Sequence, residues 1–201
     1  LTEQTRQDLT LKNRTLDAKN NEFKLTKNMV DNLEGFPESI KFLKKNVNWL
    51  KDTPLLSDII YTDENNRVAI EAVLAPYLSN FIVQNETEAY NAIDILSKSS
   101  SGKASFLVLD YFNNYKINSS AKKVDDANLA IDLIKVDDQY KNLLQILLDN
   151  IYIANENANI QQVYKTLNDE QAVVVSANGQ IQKSAQQLSG GAVGLFEGKR
   201  L

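Results

Sequence analysis

The chain has 201 residues, of which 43% are hydrophobic and 24% are charged, and its formal net charge is −4. This length and composition are typical of a globular protein of one or two domains, and the acidic balance excludes attraction of the whole domain to DNA by bulk charge. Histidine and cysteine are both absent, which excludes disulfide bonds and catalytic triads built on either residue, and argues against a zinc site.

No apolar run approaches the roughly 20 residues that a membrane helix requires. The densest run, LLQILL at 143–148, is far shorter, and the first residues show no signal-peptide pattern. The absence of cysteine suits a reducing compartment. We therefore expect a cytoplasmic protein with no membrane partner. Because the first residue is Leu1 rather than Met, we also expect the chain to be a piece of a longer protein.

Residues 1–34 are predicted to form one long helix, because neither proline nor glycine occurs before Gly35. Four apolar residues recur in it at seven-residue intervals: Leu9, Leu16, Phe23 and Val30. A stripe this narrow is typical of a coiled-coil arm, with a solvated amphipathic helix as the alternative. Gly35 and Pro37 end the helix, and the segment PESIKFLKKN begins the next one.

The remaining sequence contains an internal repeat, in which residues 57–96 resemble residues 131–167. Two pairs of aspartates match at the same offset: Asp58 with Asp132, and Asp63 with Asp137. In each copy an apolar helix follows, and then a short strand, FIV at 81–83 or IYI at 151–153. The repeat predicts two similar α/β halves.

A second helix and a second strand follow in each copy. Asn85 and Asn155 are predicted N-caps, and Glu88 completes a capping box with Asn85. The predicted buried stripes are Tyr90, Ile93 and Leu96 in the first copy, and Ile160, Val163, Tyr164 and Leu167 in the second. The closing strands are predicted at 104–110 and 171–178, and Asn178-Gly179 predicts a hairpin.

Two glycine-containing stretches partly match phosphate-binding loops. SSSGKAS at 99–105 has one glycine, and Ala104 replaces the hydroxyl residue of the P-loop pattern, so a turn between a helix and a strand is favoured. GAVG at 191–194 fits the G-x-x-G loop of KH modules, but the order of the surrounding helices does not suit that fold. We expect no cofactor, and no binding or hydrolysis of ATP by this chain.

The order of these segments resembles that of the hinge domain of structural maintenance of chromosomes (SMC) proteins. A helical arm leads into GFPESIKFL, and the two α/β halves carry GKASFLVLD and ANGQIQ…LSGGAVG…EGKRL. The resemblance covers essentially the whole chain. It implies an α/β (α+β) fold with two pseudo-repeated subdomains after a coiled-coil helix. The implied division is 1–34 for the entering arm, 35–112 for subdomain I, 113–126 for a linker, 127–197 for subdomain II and 198–201 for the start of a returning helix.

The resemblance also implies a function, namely that the chain joins two long arms as a homodimer in a bacterial chromosome-organising ATPase. The dimer interface would include the glycines near the chain end: Gly179, Gly190, Gly191 and Gly194. Glycine suits such a contact because it lets two backbones approach closely. One departure from the family pattern is Ala185-Gln186, where a first Gly-Gly pair is expected. The further partners would be the returning helix and, in the full protein, distant ATP-binding head domains.

The same resemblance places weak, non-specific DNA binding at the junction of arm and hinge, in a nucleoid-associated protein. The basic residues assigned to it are Lys41, Lys44, Lys45, Lys122, Lys123, Lys199 and Arg200. For each cluster the alternative is a solvated charged face.

Two other classes of function stay open at this point. The cleft between the repeats suits a ligand-binding or enzymatic site, with Asp58, Asp63, Asp132 and Asp137 as its carboxylates. Matched aspartates at strand–helix junctions are more often helix caps, however. The second alternative is a scaffold module fused to a coiled coil.

Overall fold

The N-terminal arm is a single long helix. The structure is a computed structural model that describes residues 2–113, 121–184 and 187–190, and its first element is α1 (Glu3–Asp31). Three apolar residues of the predicted heptad, Leu9, Leu16 and Phe23, are 60%, 58% and 66% exposed. We call them the first stripe. The long helix is confirmed, and its first stripe has no packing partner among the described residues.

The chain leaves α1 through two residues with left-handed backbone, Leu33 (φ +50°) and Gly35 (φ +85°). Pro37 then occupies the N-cap position of α2 (Glu38–Asn46). Because proline fixes φ and lacks an N–H, it fits the start of a helix but not its interior. The predicted end of the arm and the restart of the chain as a helix are both confirmed.

The first half continues with short helices and strands. In chain order they are α3 (Asn48–Lys51), α4 (Leu56–Ile59), β1 (Tyr61–Thr62), α5 (Glu64–Leu74), β2 (Phe81–Val83), α6 (Glu86–Ser99), β3 (Phe106–Val108) and α7 (Leu109–Asn113). The second half contains two short 3₁₀ helices together with β4 (Ala127–Leu129), β5 (Ile134–Lys135), α8 (Lys141–Leu147), β6 (Ile151–Ala154), α9 (Ile160–Leu167), β7 (Val173–Val175), β8 (Ile181–Ser184) and β9 (Gln187–Ser189).

The predicted repeat is visible as two matching β-α-β units. In the first, β2 pairs in parallel with β3, and α6 makes the connection. In the second, β6 pairs in parallel with β7, and α9 makes the connection. Parallel neighbours require such a crossover, which is why each half carries a helix between its two strands.

The buried face of α6 differs from the predicted one. The helices α6 and α9 bury residues at the same spacing, which are Ala89, Ala92 and Leu96 in one and Ile160, Val163 and Leu167 in the other. Tyr90 and Ile93 are therefore wrongly predicted as core residues, since they are 62% and 42% exposed. The small alanines face the sheet because they let the helix approach it closely, and the larger side chains next to them point outward.

The second half contains a five-stranded sheet in the order β4-β6-β7-β8-β9. The strand β4 is antiparallel to β6, and β8 is antiparallel to both of its neighbours. The connection from β7 to β8 is the hairpin predicted from Asn178-Gly179. Gly179 has φ +80° and donates its N–H to the carbonyl of Ser176, and Ser176 donates its N–H to the carbonyl of Gln180.

The two halves meet through equivalent strands. Tyr61 and Thr62 of β1 pair antiparallel with Lys135 and Ile134 of β5, and the Thr62 hydroxyl donates to the Leu133 carbonyl at 2.8 Å. These strands lie within the two segments that carry the matched aspartates. Antiparallel pairing of equivalent segments is the arrangement expected of a local twofold axis between the halves.

Within the described residues, three apolar clusters form the core. One lies wholly in the first half around Leu43, Leu50 and Phe81, and another lies wholly in the second half around Tyr152 and Val174. The third draws on both halves, and its members include Leu56, Ile70, Leu74, Leu107, Leu143, Leu144, Ile151 and Val175. The halves are therefore joined by shared packing as well as by the β1–β5 pair. The division of the chain into subdomains and a linker stays a prediction.

One predicted N-cap is confirmed and the other is wrong. Asn85 caps α6 by accepting the N–H of Glu88 at 3.1 Å, while the Glu88 carboxylate accepts the N–H of Gln84 rather than that of Asn85. In the second half, Asn159 caps α9, and Asn155 instead donates to the Asp125 carbonyl. The helix starts later than predicted because the segment before it contains a left-handed residue at 157.

We expect Asn85→Ala to lower the free energy of unfolding by about 1 kcal/mol, the usual cost of removing an N-cap side chain. Asn155→Ala serves as the comparison, because it removes an asparagine that caps no helix. Urea denaturation followed by circular dichroism measures both. An Asn85→Ala protein as stable as the wild type would contradict the capping role.

Candidate functional site

The structure describes two of the four glycines assigned to a dimer interface, Gly179 and Gly190. Gly191 and Gly194 lie outside the described residues, as do Lys199, Arg200 and the departure at Ala185-Gln186. The predicted returning helix at 198–201 lies outside them as well. The interface assignment of all four glycines stays a prediction.

Gly179 makes a close approach inside the chain. A Cβ atom built on it would lie 3.3 Å from Cγ1 of Val68 and 3.4 Å from Cβ of Ala72, both on α5. The tip of the β7–β8 hairpin therefore rests on a helix of the other half. The positive φ and this tight contact both favour glycine at this position. Sequence reasoning found the turn, but nothing in the sequence indicated that α5 is its neighbour.

Gly190 follows the last strand of the five-stranded sheet and is exposed. A Cβ atom built on it would lie 2.9 Å from Cγ of Gln180, which is the far part of a flexible, exposed side chain. The strand before it, β9, pairs with β8 and ends the sheet order. Its outer edge forms no ladder with any described strand.

A second open edge belongs to β3 in the first half. The strand β3 pairs only with β2 among the described strands. The far side of β2 is partly covered by the segment before α4, where Ile82 donates its N–H to the carbonyl of Pro54 at 2.9 Å. Among the described strands, the outer edges of β3 and β9 thus form no ladder, and neither does that of β4 at the other end of the five-stranded sheet. Such edges are templates for pairing with another chain.

Two of the lysines assigned to DNA contact already form ion pairs, one within α2 and the other between α2 and α4. Lys41 lies 2.9 Å from the Glu38 carboxylate. Lys44 lies 3.6 Å from Asp58, and its side chain is 18% exposed. Asp58 also accepts the N–H of Leu55 at 2.9 Å, so it stabilises the first turn of α4. Lys45 is exposed and forms no ion pair with a described residue.

Lys122 is anchored to the second half. Its Nζ donates to the carbonyl of Leu167 at 3.0 Å, at the end of α9, and its N–H donates to the Tyr152 hydroxyl at 2.8 Å. A cation stabilises the C-terminal end of a helix. Burial raises the pKa of Tyr152, and the N–H from Lys122 opposes part of that effect. Lys123 next to it is exposed.

The four matched aspartates do not form one site. Asp58 is paired as described above, and Asp63, Asp132 and Asp137 are exposed. Asp63 and Asp137 stand at N-cap positions, as expected, but neither side chain accepts a capping hydrogen bond. Within the described residues, no group of three acidic side chains could hold a metal ion. The carboxylate cleft is thus not supported by the geometry.

An exposed aromatic patch was missed by sequence reasoning. It consists of Tyr90 and Ile93 on α6 and Tyr111 on α7, which is 59% exposed. Tyr111 donates a hydrogen bond to Glu86, and this bond raises the pKa of Tyr111. Its two helices, α6 and α7, lie on either side of β3 in the chain. The two alanines of α6, Ala89 and Ala92, could have indicated this patch. Small residues suit the helix face that packs closely on a sheet, which leaves Tyr90 and Ile93 on the exposed face.

Among the described helices, none has the length and apolar character that crossing a membrane requires.

The chain combines a helical arm with two β-α-β units that are joined by a shared apolar cluster, which defines a two-lobed α/β module. The family model that describes the SMC proteins flexible hinge domain matches residues 50–159. The chain belongs to the SMC hinge family.

The relatives and solved structures agree with that assignment. The chromosome partition protein Smc of Chlorobaculum tepidum is 30% identical over 183 residues, which cover 90% of this chain and 15% of that protein. This chain thus spans about 15% of the length of such curated relatives.

Two hinge structures share the fold. A crystal structure of an asymmetric dimer of the Geobacillus stearothermophilus SMC hinge domain matches with a TM-score of 0.84 at 20% identity, covering 98% of this chain and 82% of that one. The Pyrococcus furiosus SMC hinge domain matches with a TM-score of 0.61 at 21% identity, covering 81% and 84%. The predicted fold class and family are confirmed.

Proposed function

We propose that this chain is the homodimerisation hinge of a bacterial chromosome-organising SMC protein. The observation that carries the proposal is that β3 in the first half and β9 next to Gly190 in the second each have an outer edge that pairs with no described strand. In a twofold dimer the first half of each copy meets the second half of the other, so two contacts close a ring and cover both edges. The Geobacillus stearothermophilus hinge, which has the same fold, is a dimer.

The arm helix α1 is the part of each copy that the dimer would join. The first stripe of α1 would be the seam of a coiled coil, with the returning helix expected from residue 198 onward as its partner. The dimer would then join two long arms of a nucleoid-associated protein. Nothing in this role requires chemistry from the chain itself, and ATP binding would belong to distant parts of the full-length protein.

Light scattering coupled to size exclusion tests the dimer. At micromolar concentration we expect a mass of about twice the 22.6 kDa of the chain, falling toward the monomer mass on dilution. A monomer at every concentration would contradict the proposed function.

DNA binding is the second part of the proposal. Two observations reduce the number of assigned lysines that are available to contact DNA. Lys41 and Lys44 are already paired with acidic side chains, and Lys122 caps a helix. The basic residues that remain available in the described part of the assigned set are Lys45 and Lys123. Since the whole chain is acidic, binding through such local charges would be weak and would depend steeply on salt.

We expect Lys45→Glu combined with Lys123→Glu to weaken binding to single- and double-stranded DNA alike. If each lysine contacts one phosphate, the slope of log affinity against log salt falls by about 1.5 to 2. Fluorescence anisotropy at several salt concentrations measures the slope. The matched control is Lys98→Glu with Lys165→Glu, which makes the same change in net charge at exposed positions outside the assigned set. Equal weakening by both pairs would show that these two lysines have no special role.

A further inference from the structure

The turn between β7 and β8 brings together the two groups of a reaction that a protein chain performs on itself. Asparagine is a thermolabile residue, because the next backbone nitrogen can attack its side-chain amide. Glycine in the next position leaves that nitrogen unshielded, since it has no Cβ. The pair Asn178-Gly179 is the only asparagine followed by glycine in the sequence. Asn178 is exposed, so water reaches its side chain.

We propose that Asn178 is a deamidation site, and that the packing of the turn on α5 controls the rate of the reaction. The Gly179 nitrogen forms a bond to Cγ of Asn178, and the bond between Cγ and Nδ2 breaks. Nδ2 leaves as ammonia, with the proton that the Gly179 nitrogen gives up. Water then opens the resulting five-membered imide at one of its two carbonyls. The product is aspartate or isoaspartate at position 178, and no oxidant or reductant takes part.

In the folded hairpin both reacting groups are hydrogen-bonded to Ser176. The Gly179 N–H donates to the Ser176 carbonyl at 2.9 Å, so the nitrogen that must lose its proton is already engaged. The Ser176 hydroxyl donates to Oδ1 of Asn178 and accepts the N–H of Gln180 at 3.0 Å. These bonds fix the side chain and the backbone of the turn together. The attack on Cγ therefore requires the turn to open.

The first half of the chain opposes that opening. The backbone of the turn lies so close to α5 that a Cβ built on Gly179 would be 3.3 Å from Cγ1 of Val68 and 3.4 Å from Cβ of Ala72. Segments of a folded protein open locally, each with its own free energy. Deamidation of Asn178 then proceeds at the rate of an unfolded segment multiplied by the fraction of time that the turn is away from α5.

The product fits the folded turn less well than asparagine does. Isoaspartate adds one methylene to the main chain between the Ser176 carbonyl and the Gly179 N–H, which are the two groups that close the turn. The modified turn would then pack less well on α5. Deamidation is also irreversible, so it would accumulate in chains whose hairpin has separated from the first half, and it would keep the hairpin separated.

Mass spectrometry of the folded chain and of one of its own peptides tests this inference. Trypsin cleavage after Lys165 and Lys183 releases residues 166–183, which contain the whole turn but not α5. At the same pH and temperature, we expect Asn178 to deamidate at least roughly tenfold faster in the peptide than in the folded protein. Equal rates, or a peptide that loses no ammonia at this position, would overturn the inference. Asn178→Gln is the control that assigns the mass change, because glutamine would have to close a slower six-membered ring.

A variant on α5 tests the control by packing without altering the turn itself. Ala72 is half-buried beneath the turn, and Ala72→Leu would push the turn outward. We expect this variant to deamidate at least threefold faster than the wild type while circular dichroism shows that it remains folded. The matched control is Ala75→Leu, the same substitution at an exposed position directly after α5. A folded Ala72→Leu protein that deamidates no faster than Ala75→Leu would overturn the role of α5.

Discussion

Substituting Gly179 by valine is expected to lower the free energy of unfolding by about 2–5 kcal/mol. The backbone at Gly179 is left-handed, with φ +80°, and this conformation costs an L-residue roughly 1–2 kcal/mol. The new Cβ would also lie 3.3 Å from Val68 and 3.4 Å from Ala72, and overpacking adds about 1–3 kcal/mol. For a chain of this length, each kcal/mol lowers the melting temperature by about 2–4 °C, which calorimetry resolves.

Gly102→Val separates the two causes. Gly102 has nearly the same backbone, with φ +87°, but a Cβ there would meet only Cβ of Ser39 at an ordinary 3.6 Å. We therefore expect Gly102→Val to lose only the backbone contribution of about 1–2 kcal/mol. Equal losses in the two variants would show that the contact of the hairpin with α5 contributes nothing.

Substituting Gly190 by tryptophan is expected to convert a micromolar dimer largely to monomer. If the residue faces the second copy, a bulky side chain holds the two surfaces apart at about 1–3 kcal/mol for each site. Twofold symmetry doubles this cost, so a total of about 2 kcal/mol or more weakens the dimer at least roughly 30-fold. Light scattering measures the mass, and circular dichroism of the two proteins should be nearly identical.

The control for this variant concerns Gln180 of the same chain, because its side chain lies where the new Cβ would be. Combining Gly190→Trp with Gln180→Ala removes that overlap. If the double variant is still monomeric, the tryptophan acts on the partner. A double variant that dimerises like the wild type would show that the glycine serves only the contact with Gln180.

The sequence predicted the elements of the fold well, because their signals are local. Two examples are the strand FIV, which is β2, and the Asn178-Gly179 turn, and both depend on neighbouring residues. The errors arose where packing between elements distant in the chain determines which residues are buried. Tyr90 and Ala89 are adjacent on α6, and only the position of the sheet determines that the alanine is buried.

The candidate surfaces were less predictable for the same reason. A lysine cluster in the sequence does not reveal which of its members is already paired, and Lys44 and Lys122 both have partners more than ten residues away along the chain. The open edges of β3 and β9 likewise follow from the order of strands in space. Composition and spacing alone carry no information about that order.

The apolar cluster shared by the two halves has a mechanical consequence. Any swing of one half against the other would have to expose side chains such as Ile70 and Leu144, which are fully buried in that cluster. A load arriving along the arm therefore does not bend the body of the domain at its middle. We expect it to be transmitted through the body as through a rigid block, which it enters at the joint of Leu33 and Gly35, where Leu33 packs against the first-half cluster.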